Sequence, residues 1–394
     1  MIQIESLSMY PERALPSMAE LDVAVEEGRV VRRDEDGLSV YVYSRSTFYD
    51  GDAWDRVTRA ARGLVFRRDS GRLLALPFPK FFNLGEREDT LVHRLPDQGF
   101  RVTEKLDGSL IVVFHDGRRW RASTKGSLSS AQAQWAESWL LRNVQSGLLD
   151  PLRGATLLFE GVYPRGTFED DLVVDYGDRE ELVLLSGHHT ARRREFVPRA
   201  VRALASHLGV SVPGVYPFDS LHDVVKRAEE LPVSEEGYVV QFLDGGLRVK
   251  VKGRRFVEAH KFLSGTAPAR YFWASLDEAG RVPPDAWTPV PVDVRDDMLP
   301  LVRNIEAAEG AALSAVEEFS REAILLPGGR ERAEWVKGLG APWTAAVFAF
   351  LSGGRGRARS VIRKALRPDA DGQVPELPAP SRETVSMTRG DGHV

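Results

Sequence analysis

Lys105-Leu106-Asp107-Gly108-Ser109 stands directly before the apolar run Leu110–Phe114. A lysine, a carboxylate two residues on and a glycine place two charged groups at a turn that feeds a strand. Alone, the pattern reads as a surface lysine leading into a turn rather than as a nucleophile. Its companions decide between them. Downstream, Phe159-Glu160-Gly161 ends a strand-like run, and Glu235-Glu236-Gly237-Tyr238-Val239-Val240 sets a carboxylate at the mouth of another. Lys250-Val251-Lys252 ends a third, and strand alternation points both lysines to one face. Upstream lie Arg62-Gly63-Leu64-Val65-Phe66 and Phe78-Pro79-Lys80-Phe81-Phe82-Asn83; Ser123-Thr124-Lys125-Gly126-Ser127 follows.

These motifs sit in a chain that reads as α+β, with antiparallel sheets and flanking helices over residues 1–264. Leu38–Tyr43, Leu110–Phe114, Leu157–Phe159, Leu182–Leu185, Tyr238–Phe242 and Leu247–Val251 have strand composition. His115-Asp116-Gly117 and Asp244-Gly245-Gly246 read as hairpin turns. Ser129–Val144, with Trp135 and Trp139 four apart, and Val197–His207, which opens on a proline, read as helices. Beyond Gly265 the spacing of Val302, Ile305, Ala308, Ala315, Phe319, Trp335, Trp343, Val347 and Phe350 is helical, with breaks at Gly328-Gly329, Gly338–Gly340 and Gly353-Gly354. A small all-α domain over 265–367 is expected, then a disordered tail over 368–394 rich in Pro, Asp, Gly and Ser.

The ordered motif set resembles the covalent nucleotidyltransferase superfamily of ligases and capping enzymes. The Arg-Gly element and the Pro-Lys-Phe-Phe-Asn element ahead of the lysine are similar to those of the RNA ligase 1 family of tailed phages. The resemblance covers roughly Tyr41 to His260. It implies an ATP-dependent enzyme that carries AMP on Lys105, passes it to an RNA 5′-phosphate and seals that end to a 3′-hydroxyl, with Mg²⁺ or Mn²⁺ as cofactor. A nicked tRNA and a role in RNA repair are what the resemblance suggests for the substrate.

The chemistry has its own logic. An amine attacks the α-phosphate of ATP only when neutral, and a free lysine has a pKa of about 10.4, so cationic neighbours or a metal ion are needed to depress it. Lys250 and Lys252 suit that task and would neutralise charge building on the α-phosphate. With Lys105 they form the expected catalytic set. The resemblance implies nucleotide contacts from Arg62, Lys80, Phe82, Glu104, Lys105, Asp107, Gly108, Lys125, Glu160, Glu236, Lys250 and Lys252. Glu236, Glu160 and Asp107 are the expected metal ligands, Mg²⁺ being a hard cation that takes carboxylates and water. Phe82 and Val173 or Val174 are expected against the adenine. In Gly166–Val174 the arginine that the family carries is displaced or absent, which leaves adenine stacking open, and Phe256 stands four after Lys252 where the family often has an aromatic residue.

Bulk composition narrows the alternatives. The chain has 394 residues, no cysteine and a net charge of −4. Disulfides, thiolate metal sites and a thiol nucleophile are excluded. No signal peptide or membrane span is expected, so a cytoplasmic protein follows. The pI is near 6.1, so nucleic-acid binding must rest on local positive charge. The strongest local patch is Arg248, Lys250, Lys252, Arg254, Arg255 and Lys261; the run Arg355, Arg357, Arg359, Arg363, Lys364 and Arg367 is either an RNA-phosphate surface or a charged helix end. Adjacent His188 and His189 point opposite ways and lack a third ligand. Arg192-Arg193-Arg194 reads as a solvated turn and Trp135 and Trp139 as core. Two other functions compete: a sealing component of a multi-enzyme repair system, since neither a P-loop nor paired HxT motifs are present for end healing, and an inactive RNA-end-binding protein of the same fold. A DNA ligase or GTP-using capping enzyme would usually continue into an OB-fold, whereas residues after Gly265 read as helical.

Overall fold

Short β-branched and aromatic runs pair here into three antiparallel sheets, seen in a computed structural model that describes residues 2–168, 172–243, 245–265, 268–287, 290, 295–369 and 372–381. The chain divides into two units, Met1–Val257 and Glu258–Val394.

In the first unit a six-stranded sheet runs in the order Met9–Glu12, Arg194–Phe196, Glu181–His189, Ala155–Val162, Ser109–His115, Trp120–Ser123. A four-stranded sheet orders Val215–Tyr216, Phe100–Lys105, Gly237–Phe242, Arg248–Lys252, and another orders Val30–Glu35, Leu38–Tyr43, Arg62–Arg67, Leu73–Ala75. The α+β reading holds, and so do the six strands. The strands Met9–Glu12 and Val30–Glu35 were not anticipated, because their polar sequences carry little apolar alternation. The helix Ala131–Asn143 is capped by the Ser130 hydroxyl, and Pro198–Leu208 ends on Gly209 in the left-handed conformation. Trp139 is buried and Trp135 half-buried, their indole N–H groups donating to Glu180. At the second turn, Asp244 lies outside the described residues; Gly245 and Gly246 have positive φ, and the Phe242 N–H donates to Leu247 O at 2.8 Å.

The lysine motif sits where the chain crosses between sheets. Lys105 ends a strand of the four-stranded sheet, and Ser109 begins one of the six-stranded sheet. Gly237 pairs with both Lys105 and Lys252, so those lysines flank the same point from either side. A Cβ on Gly237, whose φ is +141°, would lie 2.2 Å from Val251 O. One on Gly108 would lie 2.3 Å from Gly161 O. Both positions therefore require glycine for close backbone approach. Gly108→Ala is expected to cost roughly 1–3 kcal/mol and to melt at lower temperature, while Gly147→Ala, whose added Cβ meets no atom within 4 Å, does not lower the melt in the same thermal denaturation series.

In the second unit, Arg295–Ile324, Gly329–Gly338 and Trp343–Ala365 pack around Leu313, Val316, Phe319, Val336, Val347 and Ile362. The glycine break at Gly354 kinks the last helix, with φ 74° and ψ −168°. Three arginines of the run read as either an RNA-phosphate surface or a charged helix end are engaged within the unit. Arg359 and Arg363 meet the buried Glu309 carboxylate at 2.6 and 3.2 Å, and Arg355 meets Glu317 at 3.2 Å. Arg357, Lys364 and Arg367 are exposed. Val374 and Leu377 pack on the helical core, and the Trp343 indole donates to Pro378 O at 2.7 Å. Residues 370–371 and 382–394 of the expected tail lie outside the described residues.

Candidate active site

Glu236 precedes its strand by one residue, and its carboxylate spans the two lysines that flank Gly237. It meets Lys105 Nζ at 2.5 Å and Lys252 Nζ at 2.9 Å, and it is only 4% exposed. Burial opposes its ionisation, but the two ammonium groups outweigh that and hold its carboxyl below the usual range. Phe256 is buried, and its ring receives Lys252 Nζ at 5.1 Å. Lys105 is thus held at the turn by a carboxylate that a neighbouring strand supplies.

Beside it opens a cavity of about 430 Å³ lined by Arg62, Lys105, Lys125, Lys250, Glu104 and Glu160, with Phe78 and Phe81 among its apolar walls. Lys250 shares its strand face with Lys252, as alternation requires, but only Lys250 lines this cavity. Burial, then Lys105, Arg62, Lys80 and Lys252, push its amine well below the ordinary lysine range. Burial likewise lowers Arg62, against the attraction of Tyr43 and Glu160. Arg62 Nη1 is buried without a hydrogen-bond partner. A buried donor so left costs about 1–3 kcal/mol, and an anion entering the cavity would relieve it. The cations face an environment that is short of negative charge, and the site is complementary to a polyphosphate.

The Pro79–Asn83 segment divides its side chains between two places. Phe81 faces the cavity, where Arg62 lies 5.6 Å and Lys250 4.9 Å from its ring centre. Phe82, the residue expected on the adenine, is not on the cavity wall. It is buried against Trp54, at 5.4 Å between rings, and beneath Arg59 and Arg87. Lys80 stands on the Phe82 side in a box of four rings, Tyr43, Phe48, Trp54 and Phe82, at 5.1 to 5.8 Å. Burial, then repulsion from Arg62 and Lys125, brings its amine down to about 8. Sequence reasoning missed Phe81. The signal was available: alternate residues of an extended segment point apart, so Lys80 and Phe82 on one side put Phe81 on the other.

Asp107 is committed to the backbone. Its Oδ2 accepts from the N–H groups of Val173 and Val174 at 2.8 and 3.0 Å, and its own N–H donates to Tyr176 Oη at 2.8 Å. Burial, then Glu236, raises its carboxyl, against those two donors. Val173 and Val174 are buried and take part in this hook; Glu169, Asp170 and Asp171 of the departing stretch lie outside the described residues. Glu104 binds back to Gly214, accepting from its N–H at 3.3 Å. Glu160 lines the cavity, and burial pushes its carboxyl up to about 7, with Glu236 and Asp107 adding to the rise and Lys105 and Arg62 opposing it.

These placements bear on a divalent cation. Among the described residues no group of three histidine or acidic side chains is arranged as a metal cage. Glu236 is taken up by two lysines and Asp107 by two backbone donors, so Glu160 is the expected ligand that faces the open cavity. Such a donor set fits a Mg²⁺ or Mn²⁺ that keeps its waters and rides on substrate phosphates, taking one or two carboxylates from the protein.

The features set aside from the sequence stay outside the site. His188 is buried beside Glu195, at 3.9 Å, and burial pushes its imidazole down to about 3. The adjacent His189 accepts from the Arg192 N–H at 3.4 Å. Arg194 departs from the solvated-turn reading, because its guanidinium donates to Tyr10 O at 2.7 Å across the sheet edge.

A family model described as RNA ligase matches residues 60–273, more than half of the chain. The chain belongs to this RNA ligase family. The matched span contains Arg62, Lys80, Lys105, Lys125, Glu160, Glu236, Lys250 and Lys252. A Thermovibrio ammonificans protein whose name assigns it provisionally to the RNA ligases is 30% identical over 213 residues, 51% of this chain and 53% of that one. RNA ligase 1 of bacteriophage TS2126 is 34% identical over 106 residues, 25% of this chain and 26% of its own. The chain thus spans about half, or less, of the length of these curated relatives. Among solved structures, an archaeal ATP-dependent RNA ligase is similar with a TM-score of 0.47 and 16% identity, covering 86% of this chain and 96% of that one. Among the described residues no helix is long and apolar enough to cross a membrane.

Proposed function

We propose that this protein is an ATP-dependent RNA ligase that joins a 3′-hydroxyl to a 5′-phosphate through a lysine–AMP and an RNA-adenylate. The observation that carries the reading is the convergence of Lys105, Lys250, Arg62 and Lys125 on one cavity, with Arg62 Nη1 buried and unpartnered. Lys105 Nζ attacks the α-phosphorus of ATP, forming a P–N bond as pyrophosphate leaves. An oxygen of the RNA 5′-phosphate then attacks the same phosphorus and releases the lysine. The RNA 3′-hydroxyl finally attacks the 5′-phosphorus and AMP leaves. Positioning and charge carry all three transfers. Lys250 and Arg62 stabilise charge on the α-phosphate, while Lys80 and Lys125 take the outer phosphates or the RNA 5′-phosphate. Phe81 offers a ring for the nucleotide, Glu160 a carboxylate on the cavity wall for a metal water or the ribose, and Glu236 holds Lys105 and Lys252 in register. A divalent cation, when bound, would neutralise phosphate charge.

In this reading residues 1–264 form the adenylylation domain, because every motif precedes Gly265, and residues 265–367 form a helical domain. Nicked tRNA, a repair role and a cytoplasmic setting belong to the same proposal. The test is a mass measurement of the intact protein after ATP and Mg²⁺, followed by addition of a nicked RNA stem-loop. The protein is expected to gain one AMP and then to lose it as the RNA is sealed. An unchanged mass together with binding of the RNA ends would replace this reading by that of an inactive end-binding protein.

A further inference from the structure

We propose that Tyr49 and Phe48 form a stacking platform for an unpaired nucleobase of the RNA strand, outside the nucleotide cavity. The inference rests on the RNA ligase reading for the identity of the strand. Both side chains lie on the short helix Arg45–Tyr49, and they are among the more exposed large apolar groups of the first unit, at 71% and 48%. Two adjacent open rings, in a unit whose other described aromatics are buried or half-buried, call for an occupant.

The placement of these rings identifies the ligand chemistry. Lys125 lines the cavity, and its Nζ lies 5.9 Å from the Tyr43 ring. Tyr43 and Phe48 are stacked, 6.2 Å apart and 15° from parallel, and Phe48 meets Tyr49 edge-on at 5.2 Å. Aromatic faces therefore run from the cavity wall to solvent. Cations accompany them: Lys80 Nζ is 5.1 Å from the Phe48 ring, and the Arg45 guanidinium is 5.9 Å from the Tyr49 ring. Flat apolar faces interleaved with positive charge match a single nucleic-acid strand, whose bases stack while its phosphates seek cations. A protein partner would find the aromatic faces but would leave Lys80 and Arg45 without anions. The occupant is a base of unpaired RNA next to the end being joined.

The test measures the affinity of the full-length protein for a short 5′-phosphorylated single-stranded RNA at fixed salt, by fluorescence anisotropy. Tyr49→Ala is expected to weaken binding roughly tenfold, the size of one lost base–aromatic stack, and Tyr49→Phe to retain it. Tyr49 touches neither the cavity nor Lys80, so the AMP mass gain with ATP stays unchanged in both variants and reports correct folding. Strands carrying an abasic residue at successive positions locate the base. At one position the wild type loses the same factor, and Tyr49→Ala loses nothing further. Equal RNA affinity in wild type, Tyr49→Ala and the Phe48→Ala, Tyr49→Ala double variant overturns the proposal. So does a change confined to sedimentation mass, which would make the patch a contact between copies. Absence of the AMP adduct in the wild type would instead refute the ligase reading, and the abasic series would still decide whether the platform binds a base.

Discussion

Lys105→Ala is expected to show no mass increase when mixed with ATP and Mg²⁺, under conditions in which the wild type gains one AMP. The loss should be complete, since among the described residues no other lysine both meets Glu236 and lines the cavity. It closes the strand at the crossing between two sheets, with Nζ fixed by Glu236 and facing a cavity walled by Lys250, Arg62 and Lys125. Lys252 also meets Glu236, but it does not line the cavity. A second measurement separates loss of the adduct from loss of the fold. RNA supplied already adenylylated at its 5′-phosphate needs no lysine–AMP, so Lys105→Ala should still seal it and release AMP. An adduct that persists on the alanine variant would place the nucleophile elsewhere. Failure on the pre-adenylylated RNA, with a normal thermal melt, would show that Lys105 also serves the sealing step.

The physical origin of each element explains why some of this could be read in advance. Ile111–Phe114 and Ala155–Phe159 are buried in the sheet, and burial writes itself as apolar runs. Lys250 and Lys252 share a face because strand alternation is geometric, so that inference needed no tertiary knowledge. What alternation cannot supply is depth. It put both lysines on one side, but not the fact that one would line the cavity while the other bound Glu236. The Glu236 bridge depends on Gly237 pairing with two different strands, separated from it by very different lengths of chain. Asp107 shows the same limit. A carboxylate beside a nucleophile reads as a ligand, whereas here it anchors Val173 and Val174, a contact made across sixty-six and sixty-seven residues. The box around Lys80 draws on Tyr43, Phe48, Trp54 and Phe82. Three of these lie in a stretch where no motif stood, so nothing local marked them.

The distinction between the two lysines yields the second large effect. Lys250→Ala should slow formation of lysine–AMP by about 10²–10³-fold, the usual result of removing one preorganised group at a developing oxyanion. Its amine is buried on the cavity wall with Phe81 beneath it at 4.9 Å, and burial together with Lys105 and Arg62 holds its proton affinity down. Such a group gains most when phosphate charge arrives, so the loss should appear in the single-turnover rate more than in ATP affinity. Lys252 acts differently. Its ammonium is one of two that satisfy the buried Glu236 carboxylate, and removing it leaves that charge with Lys105 alone. Lys252→Ala should therefore lower thermal stability as well as rate, because a buried charge losing a partner is costly. Pairing Lys252→Ala with Glu236→Gln should restore part of the stability without restoring the rate. Quench-flow measurement of adenylylation beside thermal melts separates the two roles. Wild-type melting temperatures and wild-type rates in both single variants would mean that Lys250 does not meet the α-phosphate, that Lys252 does not support Glu236, and that the cavity between Arg62 and Lys125 binds its anion without them.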